Sequence, residues 1–232
     1  MTSIEAKIVA HSIQAQRSWE SAYGRFARRI EERSLRRGVE IGVAFGGHAE
    51  SILAATSVEK LYGVDPYRHM DGYDDPMNLP QEEFDELYRF TVARLSRFGP
   101  RYEHIRALSG EAANRVHAVD FVYIDADHSY AGVWRDLSLW FPKVRAGGLI
   151  GGHDYDHRDF PGVRCAVDEF LGHLRLKATH DGEGVWWTEK PLLTQSEEAA
   201  LSSIRPAGMP VIAVPRKLKD LARKAARLFD LG

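Results

Sequence analysis

The residues best suited to chemistry are acids and histidines that directly follow two apolar runs. The pattern occurs at residues 119–125, with His128 shortly after, and at residues 149–152, followed by His153 and Asp154. Short apolar runs bounded by polar residues predict buried strands, and neighbouring parallel strands lie about 4.8 Å apart. Acids that finish two such strands can face one site. Asp125 and Asp154 are therefore candidate oxygen ligands for a hard divalent cation such as Mg²⁺.

His153 is a candidate third ligand for that cation. Consecutive residues of a strand point to opposite faces, so His153 can join only if the strand has already ended before it. A structural alternative is that Asp125 and Asp154 cap the helices that follow and that His153 bonds to the backbone. We favour the cation, because so many ionisable groups at two strand ends are costly to collect without a ligand.

A third segment, residues 39–51, has the composition of a ligand-binding turn. An apolar run that contains Glu40 meets Gly42, Gly46 and Gly47 and then passes into helix-forming sequence. This order predicts a strand, a tight turn and a helix. Glycine has no Cβ, so a ligand can approach the backbone N–H groups and the N-terminus of the helix. The spacing differs from the G-x-G-x-x-G fingerprint of dinucleotide-binding proteins.

The elements that must position these residues alternate along the chain. We predict a helix over residues 13–37, strands at residues 60–65, 102–108, 119–125 and 149–152 in addition to the one that contains Glu40, and a hairpin over residues 176–188. Between the second strand and a helix capped by Asn78 lies a long polar loop, residues 66–79, with His69, Asp71, Asp74 and Asp75. Loops of this kind are often lids. The loop acids could contact substrate or metal, and loop solubility explains them equally well.

The arrangement predicts an α/β fold with a doubly wound, mostly parallel sheet of seven strands that ends in an antiparallel hairpin. In such a sheet, Asp65 at the end of the second strand lies beside the glycine turn, where a ribose would present its two hydroxyls. Asp65 is therefore a candidate ribose ligand. Glu40, Asp65 and Asp125 are expected to open onto one cleft.

These motifs carry a family resemblance. The glycine turn resembles the first motif of the class I, Rossmann-like, S-adenosylmethionine-dependent methyltransferases. Residues 120–130 and 146–155 resemble the small bacterial metal-dependent O-methyltransferases that modify sugars and macrolide sugars, and the likeness covers about residues 35–190. Metal-using members carry Asp-x-x-His at the first strand end, which Asp125 and His128 match, and two acids at the second, where His153 departs from the pattern.

The resemblance implies how the methyl donor S-adenosylmethionine is held. Glu40, Gly42, Gly46, Asp65 and Asp125 fall at its donor-binding positions, and the junction with Ser109 and Glu111 falls beside the adenine. Ser109 and Glu111 have a structural alternative, since a serine that starts a helix and an acid in its first turn both stabilise the helix N-terminus. Both roles can hold together.

Composition limits the remaining possibilities. The chain has 232 residues, a net charge of −2 and a single cysteine, Cys165, so we expect neither nucleic-acid binding nor a disulfide, and a cytoplasmic location without a membrane span. We divide the chain into an N-terminal helical segment, residues 1–38, a donor-binding domain, residues 39–190, and an extension, residues 191–232. The extension ends in an amphipathic helix over residues 216–231, and we expect it to pack on its own domain or in a homodimer.

The sequence thus predicts an O-methyltransferase that uses S-adenosylmethionine and a divalent cation, with His128 as general base and a hydroxyl of a sugar or glycoside as acceptor. One alternative takes Asp125-Ala-Asp127 as the D-x-D metal site of a nucleotide-sugar glycosyltransferase. The glycosyltransferase alternative would assign no role to the glycine turn in residues 39–51. Another alternative is a donor-binding protein without catalytic activity.

Overall fold

A single seven-stranded sheet organises the part of the chain that the computed structural model describes, which is residue 6 and residues 20–72, 75, 77–201 and 203–207. Its strands are β1 (Arg37–Ile41), β2 (Lys60–Val64), β3 (Tyr102–Ile105), β4 (Val119–Ile124), β5 (Val144–Gly152), β6 (Thr179–His180) and β7 (Trp186–Glu189). The spatial order is β3-β2-β1-β4-β5-β7-β6. Strands β1 to β5 are parallel, whereas β7 is antiparallel to both β5 and β6. The predicted doubly wound sheet with its final hairpin is confirmed.

Helices cover both faces of this sheet. They are α1 (Glu20–Glu32), α2 (Gly47–Ala55), α3 (Gln81–Leu95), α4 (Ser109–Ala113), α5 (Tyr130–Trp140), α6 (Pro161–His173) and α7 (Gln195–Leu201), with 3-10 turns at Ser96–Arg101 and Phe141–Lys143. The central strand β4 shows why two layers form. Phe121 and Tyr123 pack with α1 and α2 on one face, and Val122 and Ile124 pack with α5 and α6 on the other. A strand buried on both faces needs such a continuous apolar run.

The strand order reverses direction between β1 and β4. The chain moves outward from β1 through β2 to β3 and then returns to add β4 on the other side of β1. Since all four strands are parallel, their carboxyl ends share one edge of the sheet. Ligands of open α/β sheets bind in the crevice at such a switch point. The turns after β1 and β4 are therefore the place to look for a site.

Several element boundaries differ from the sequence predictions. The helix expected to run to residue 37 ends at Glu32, and Arg37 already belongs to β1. There, the backbone N–H groups of Arg36 and Arg37 donate to the Asp120 carboxylate, which fixes the start of the strand. The first strand of the hairpin is shorter than expected, with only Thr179–His180 paired.

Asn78 does not cap α3, contrary to prediction. The N-cap residue is Pro80, and the Asn78 side chain instead exchanges two hydrogen bonds with the backbone of Met70. Asp74 and the predicted helix over residues 216–231 lie outside the described residues. None of the described helices combines the length and the apolar character that a membrane crossing requires.

Candidate active site

The glycine turn lies at the switch point and touches the end of β4. Gly42 has φ 85°, and a Cβ added to it would lie 1.9 Å from the carbonyl oxygen of Asp125. Gly46 has φ 75° and is the N-cap residue of α2. Only glycine adopts these conformations without strain. The backbone of the turn therefore packs directly against the end of β4 at Asp125, and its contact with a ligand stays a prediction.

Asp65 connects the end of β2 to this turn. One carboxylate oxygen accepts the N–H groups of Val43, at 3.0 Å, and Ala44, at 3.1 Å, and the other accepts the N–H of Tyr67 at 2.9 Å. Burial raises the pKa of Asp65, and these three hydrogen bonds oppose the rise. The side chain thus fixes the shape of the glycine turn, in addition to lying where a ribose ligand was predicted.

Glu40 lies on β1 and is buried, with Oε1 at 3.0 Å from Nδ1 of His48. Burial, followed by the charges of Asp125 and Asp65, raises the pKa of Glu40 well above its usual value. Burial also lowers the pKa of His48 to about 3, so the ring is neutral at physiological pH. The charges of Asp125 and Asp65 act on Glu40 because all three acids lie at or just after the carboxyl ends of neighbouring parallel strands, at one edge of the sheet.

Ser109 and Glu111 lie at the start of α4, and both have partners within the protein. The Ser109 hydroxyl accepts a hydrogen bond of 2.8 Å from the indole N–H of Trp140, and the Glu111 carboxylate accepts the backbone N–H of Leu108 at 3.2 Å. The helix-stabilising role of Glu111 is therefore present. A contact of either residue with adenine stays a prediction.

The two strand-end acids meet at His128. One ligand atom from each of Asp125, His128 and Asp154 lies within 4.8 Å of the others. Nε2 of His128 is 3.1 Å from Oδ2 of Asp154 and 3.6 Å from Oδ1 of Asp125. Nε2 is buried, yet neither contact has the alignment of a hydrogen bond. We refer to these three residues as the acid–histidine cluster.

The turn after β5 decides which of its two polar residues enters the cluster. The N–H of His153 still bonds to the carbonyl of Ile124, so His153 continues the strand ladder, whereas Asp154 has φ 60° and turns its carboxylate toward His128. The His153 ring lies on the other side, with Nδ1 3.3 Å from Oδ1 of Asp154 and the ring next to Gly184. The geometry thus brings His128, rather than His153, into contact with both acids.

The carboxylates control the charge of both histidines. Burial alone would lower the pKa of His128, but its contacts with Asp125, Asp154 and Asp75 raise it to about 12. Burial also opposes a charged His153, whose contact with Asp154 nevertheless raises its pKa to about 8. In return, the two histidines lower the pKa of Asp154, against the effect of its burial. Without a cation, the cluster therefore favours the charged form of both histidines.

Two further residues hold His128 and complete the site. Nδ1 of His128 is 3.3 Å from Oδ2 of Asp75, an acid of the predicted lid loop. The ring also stacks on Phe160, at 4.3 Å between centroids and 23° between planes. Asp71 of the same loop is fully exposed at its side chain and lies outside the site. Phe160 was not predictable from the sequence, because a single aromatic residue in a loop gives no periodic signal.

The residues at the switch point fit both groups that the sequence implies. A nucleoside-containing donor needs polar groups to bind its hydroxyls, and Oε2 of Glu40 is buried without a hydrogen-bond partner among the described residues. A hard cation needs oxygen and imidazole ligands. The acid–histidine cluster offers them, with the buried Nε2 of His128 facing both acids.

Asp127, the second acid of the alternative D-x-D motif, is not part of the cluster. Its carboxylate accepts the N–H of Ser129 and lies against Gly132 and Arg135 at the start of α5. That position is structural. The geometry therefore gives no support to a metal site formed by Asp125 and Asp127.

The sequence matches a family model described as a methyltransferase domain over residues 39–155. The matched range starts in β1 and ends just after β5, so it contains the glycine turn, Asp65, Asp75 and the acid–histidine cluster. A protein of Acanthamoeba polyphaga mimivirus is 29% identical over 144 residues, which cover 59% of this chain and 60% of the viral protein. The match thus spans less than two thirds of that relative.

Solved structures share the fold at low sequence identity. An O-methyltransferase from Bacillus cereus in complex with SAH has a TM-score of 0.56 and 13% identity, over 82% of this chain and 92% of that one. The O-methyltransferase TomG from Streptomyces achromogenes, in complex with SAM, has a TM-score of 0.53 and 14% identity, over 79% of this chain and 89% of that one. A calicheamicin methyltransferase has a TM-score of 0.56 and 16% identity, over 72% of this chain and 77% of that one.

Proposed function

The chain belongs to the methyltransferase-domain family, and we propose that it transfers the methyl group of S-adenosylmethionine to a hydroxyl oxygen of a small molecule. The observation that carries the proposal is the shared position of two sites. The glycine turn and the acid–histidine cluster meet at one switch point, where Gly42 touches the carbonyl of Asp125. A donor held by the turn would therefore have its reactive end next to His128. The folds of structures bound to SAH and SAM support the choice of donor.

The donor supplies a methyl carbon bonded to a positively charged sulfur, which leaves as a neutral thioether. The chain must then align the acceptor oxygen with that carbon and accept the hydroxyl proton. We assign proton acceptance to Nε2 of His128, which faces Asp125 at 3.6 Å and Asp154 at 3.1 Å. A cation held by these two acids would take the place of the proton that they favour on this nitrogen, and the neutral ring could then accept the hydroxyl proton. A positioned base contributes roughly 10² to 10⁴ in rate.

We further propose that Asp125 and Asp154 hold a divalent cation, which would make a bound hydroxyl more acidic. Two carboxylates aimed at one point repel each other unless a positive charge lies between them. His153, by its contact with the second oxygen of Asp154, holds that carboxylate in place and remains a candidate third ligand. Glu40, Gly42, Gly46, Asp65, Ser109 and Glu111 are the proposed donor-binding residues.

A sugar or glycoside hydroxyl is the proposed acceptor. Its support is the resemblance of the two strand-end motifs and the fold shared with a calicheamicin methyltransferase. The glycosyltransferase alternative is not favoured, because the family match is to methyltransferases and Asp127 has a structural position. A cytoplasmic location and a dimer stay predictions from the sequence.

The test combines a transfer assay with the variant His128→Ala. Labelled S-adenosylmethionine and Mg²⁺ are incubated with a panel of glycosides and with the same glycosides acetylated at their hydroxyls. We expect labelled methyl only in the free glycosides, and a loss of turnover of roughly 10² to 10⁴ in His128→Ala with donor affinity unchanged. His173→Ala, which alters an exposed histidine on α6, serves as the control.

Three results would count against the proposal. Donor binding without transfer to any free hydroxyl would favour a non-catalytic binding protein. Equal losses of turnover and donor affinity in His128→Ala would mean that His128 binds the donor rather than the proton. A loss of cation affinity in that variant would identify His128 as a metal ligand.

A further inference from the structure

The loop between β2 and α3 approaches His128 from the side opposite the two strand-end acids. Oδ2 of Asp75 lies 3.3 Å from Nδ1 of His128, while Nε2 of the same ring faces Asp125 and Asp154. The Asp75 side chain is only 7% exposed. A carboxylate this deep in a polar loop requires a specific partner, since burying an unpaired charge is costly.

The turn that contains Asp75 fixes the direction of its carboxylate. Oδ1 accepts the N–H of Met77 at 2.7 Å, and the carbonyl of Asp75 accepts the N–H of Asn78 at 2.9 Å. An acid that binds the backbone two residues on is a standard turn-forming arrangement. With Oδ1 occupied in this way, Oδ2 is the oxygen directed at His128.

The loop itself is anchored to the donor side of the site. Asn78 exchanges hydrogen bonds of 3.0 and 2.8 Å with the N–H and carbonyl of Met70, which closes the loop on itself. At its start, the fully buried Tyr67 donates its hydroxyl to the carbonyl of Ala44 in the glycine turn, at 2.7 Å. The position of Asp75 is thus set by the body of the protein.

We propose that Asp75 is a positioning residue that accepts the Nδ1–H of His128 and so keeps Nε2 as the free nitrogen of the ring, an inference that rests on the proposed function. Phe160 covers one face of the same ring, at 4.3 Å. A histidine ring has two ways to carry its single proton, and the hydrogen bond at one nitrogen decides which nitrogen stays free. Asp75 would therefore direct the basic nitrogen toward the acceptor.

The variants Asp75→Ala and Asp75→Asn separate this role from a general effect on the loop. Alanine removes both carboxylate oxygens. Asparagine keeps one carbonyl oxygen, which can continue to accept the N–H of Met77 and preserve the turn, whereas its amide NH₂ takes the place of Oδ2 and cannot accept the Nδ1–H. At saturating donor and Mg²⁺, we expect both variants to lower kcat by about 10 to 100-fold, the usual effect of losing a residue that orients an active histidine. KM and donor affinity should be nearly unchanged in both.

Asp71→Asn is the matched control, because Asp71 belongs to the same loop and its fully exposed side chain lies 3.7 Å from His69, which is itself exposed. A second readout does not depend on turnover. The ring ¹⁵N signals of His128 in the Mg²⁺-loaded protein should show a proton on Nδ1 in the wild type, a shift of that proton toward Nε2 in Asp75→Asn, and a mixture of both ring forms in Asp75→Ala.

The outcomes distinguish the alternatives. An unchanged ring signal in Asp75→Ala overturns the positioning role, as does equal loss of kcat and donor affinity in both Asp75 variants. A tenfold weaker Mg²⁺ affinity would make Asp75 a ligand and would also overturn it. If the wild type methylates no hydroxyl, the proposed function fails, and the ¹⁵N signals still decide whether Asp75 sets the ring form of His128.

Discussion

The candidate site has two halves that are built in different ways. The donor half is the glycine turn with Asp65, where the methyl donor is proposed to bind, and the acceptor half is the acid–histidine cluster with Asp75, where the hydroxyl is proposed to bind. On the donor half, Asp65 accepts three backbone N–H groups from the glycine turn and the residues just after β2. On the acceptor half, Asp125, His128 and Asp154 contact one another through side chains, and Asp75 joins them from a separate loop. The donor half is thus fixed by backbone, and the acceptor half by the charges that face one another.

This difference predicts how each half responds to change. Removing a group from the donor half leaves backbone donors unpaired, which affects both stability and donor binding. Removing a carboxylate from the acceptor half reduces both its repulsion with the other acids and its attraction to the histidines, and these two changes have opposite effects on stability. Acceptor-half variants should therefore lose turnover without losing stability.

The largest effect is expected for Asp154→Asn. It removes one of the two acids proposed to hold the cation, and catalysis by a bound cation is worth several kcal/mol, so turnover should fall on the order of 10³-fold. Donor affinity and the free energy of unfolding should change little. The measurements are methyl-transfer rates across a Mg²⁺ titration and calorimetry with S-adenosylmethionine.

Asp156→Asn is the control for this variant. Asp156 lies in the same turn, but its carboxylate contacts His180 at 3.0 Å instead of His128. Full activity in Asp154→Asn after Mg²⁺ has been chelated would remove the cation from the mechanism. A large loss of donor affinity would erase the distinction between the two halves.

An intermediate effect is expected for Asp65→Asn. The amide nitrogen would face a backbone N–H group and cannot accept it, so at least one buried donor is left unpaired, at a cost of about 1–3 kcal/mol. The free energy of unfolding should fall by that amount, and donor affinity should fall about 5 to 150-fold because the glycine turn loses its shape. Urea unfolding and calorimetry measure the two quantities.

Asp120→Asn provides the matched comparison. Asp120 accepts the N–H groups of Arg36 and Arg37 in the same manner, but at the amino end of β1, away from the switch point. It should lose similar stability and keep donor affinity. Equal losses of donor affinity in the two variants would show that the effect of Asp65 is only global.

The same difference explains what the sequence could predict. Gly42 and Asp65 were identifiable because a strand, a glycine turn and a strand-end acid are local patterns whose backbone geometry follows from the residue types. The strands of the sheet were predictable from apolar runs such as residues 119–124, because these runs are also local patterns. The positions of Gly42 and Asp65 and the doubly wound sheet were accordingly predictable.

The acceptor half required tertiary information. Whether His128 or His153 meets the two acids depends on the left-handed conformation of Asp154, which residue type alone does not specify. The contact of Asp75 with His128 joins residues 53 positions apart through a loop without periodicity. Side-chain contacts between distant loops have no sequence pattern, so these two features came only from the structure.

The smallest effect is expected at Asp136. This residue lies beside Ser109, a proposed donor-binding residue, but it lacks the hydrogen bonds that Asp65 has. Asp136 on α5 is 1% exposed, and neither carboxylate oxygen has a hydrogen-bond partner among the described residues, although the Ser109 hydroxyl lies nearby. Burial raises the pKa of Asp136 to about 6. An acid whose pKa is higher in the folded than in the unfolded state destabilises the fold once it ionises.

Stability from the neutral Asp136 should therefore be lost as the pH rises from about 4 to about 6, the interval between its unfolded and folded pKa values. Asp136→Asn keeps a neutral side chain at every pH, so it should raise the free energy of unfolding at pH 8 by about 1–3 kcal/mol and have little effect at pH 4. Urea unfolding at the two pH values measures this. A gain of equal size at both would mean that the asparagine acts through packing, and no gain would mean that the buried carboxylate is paired in solution after all.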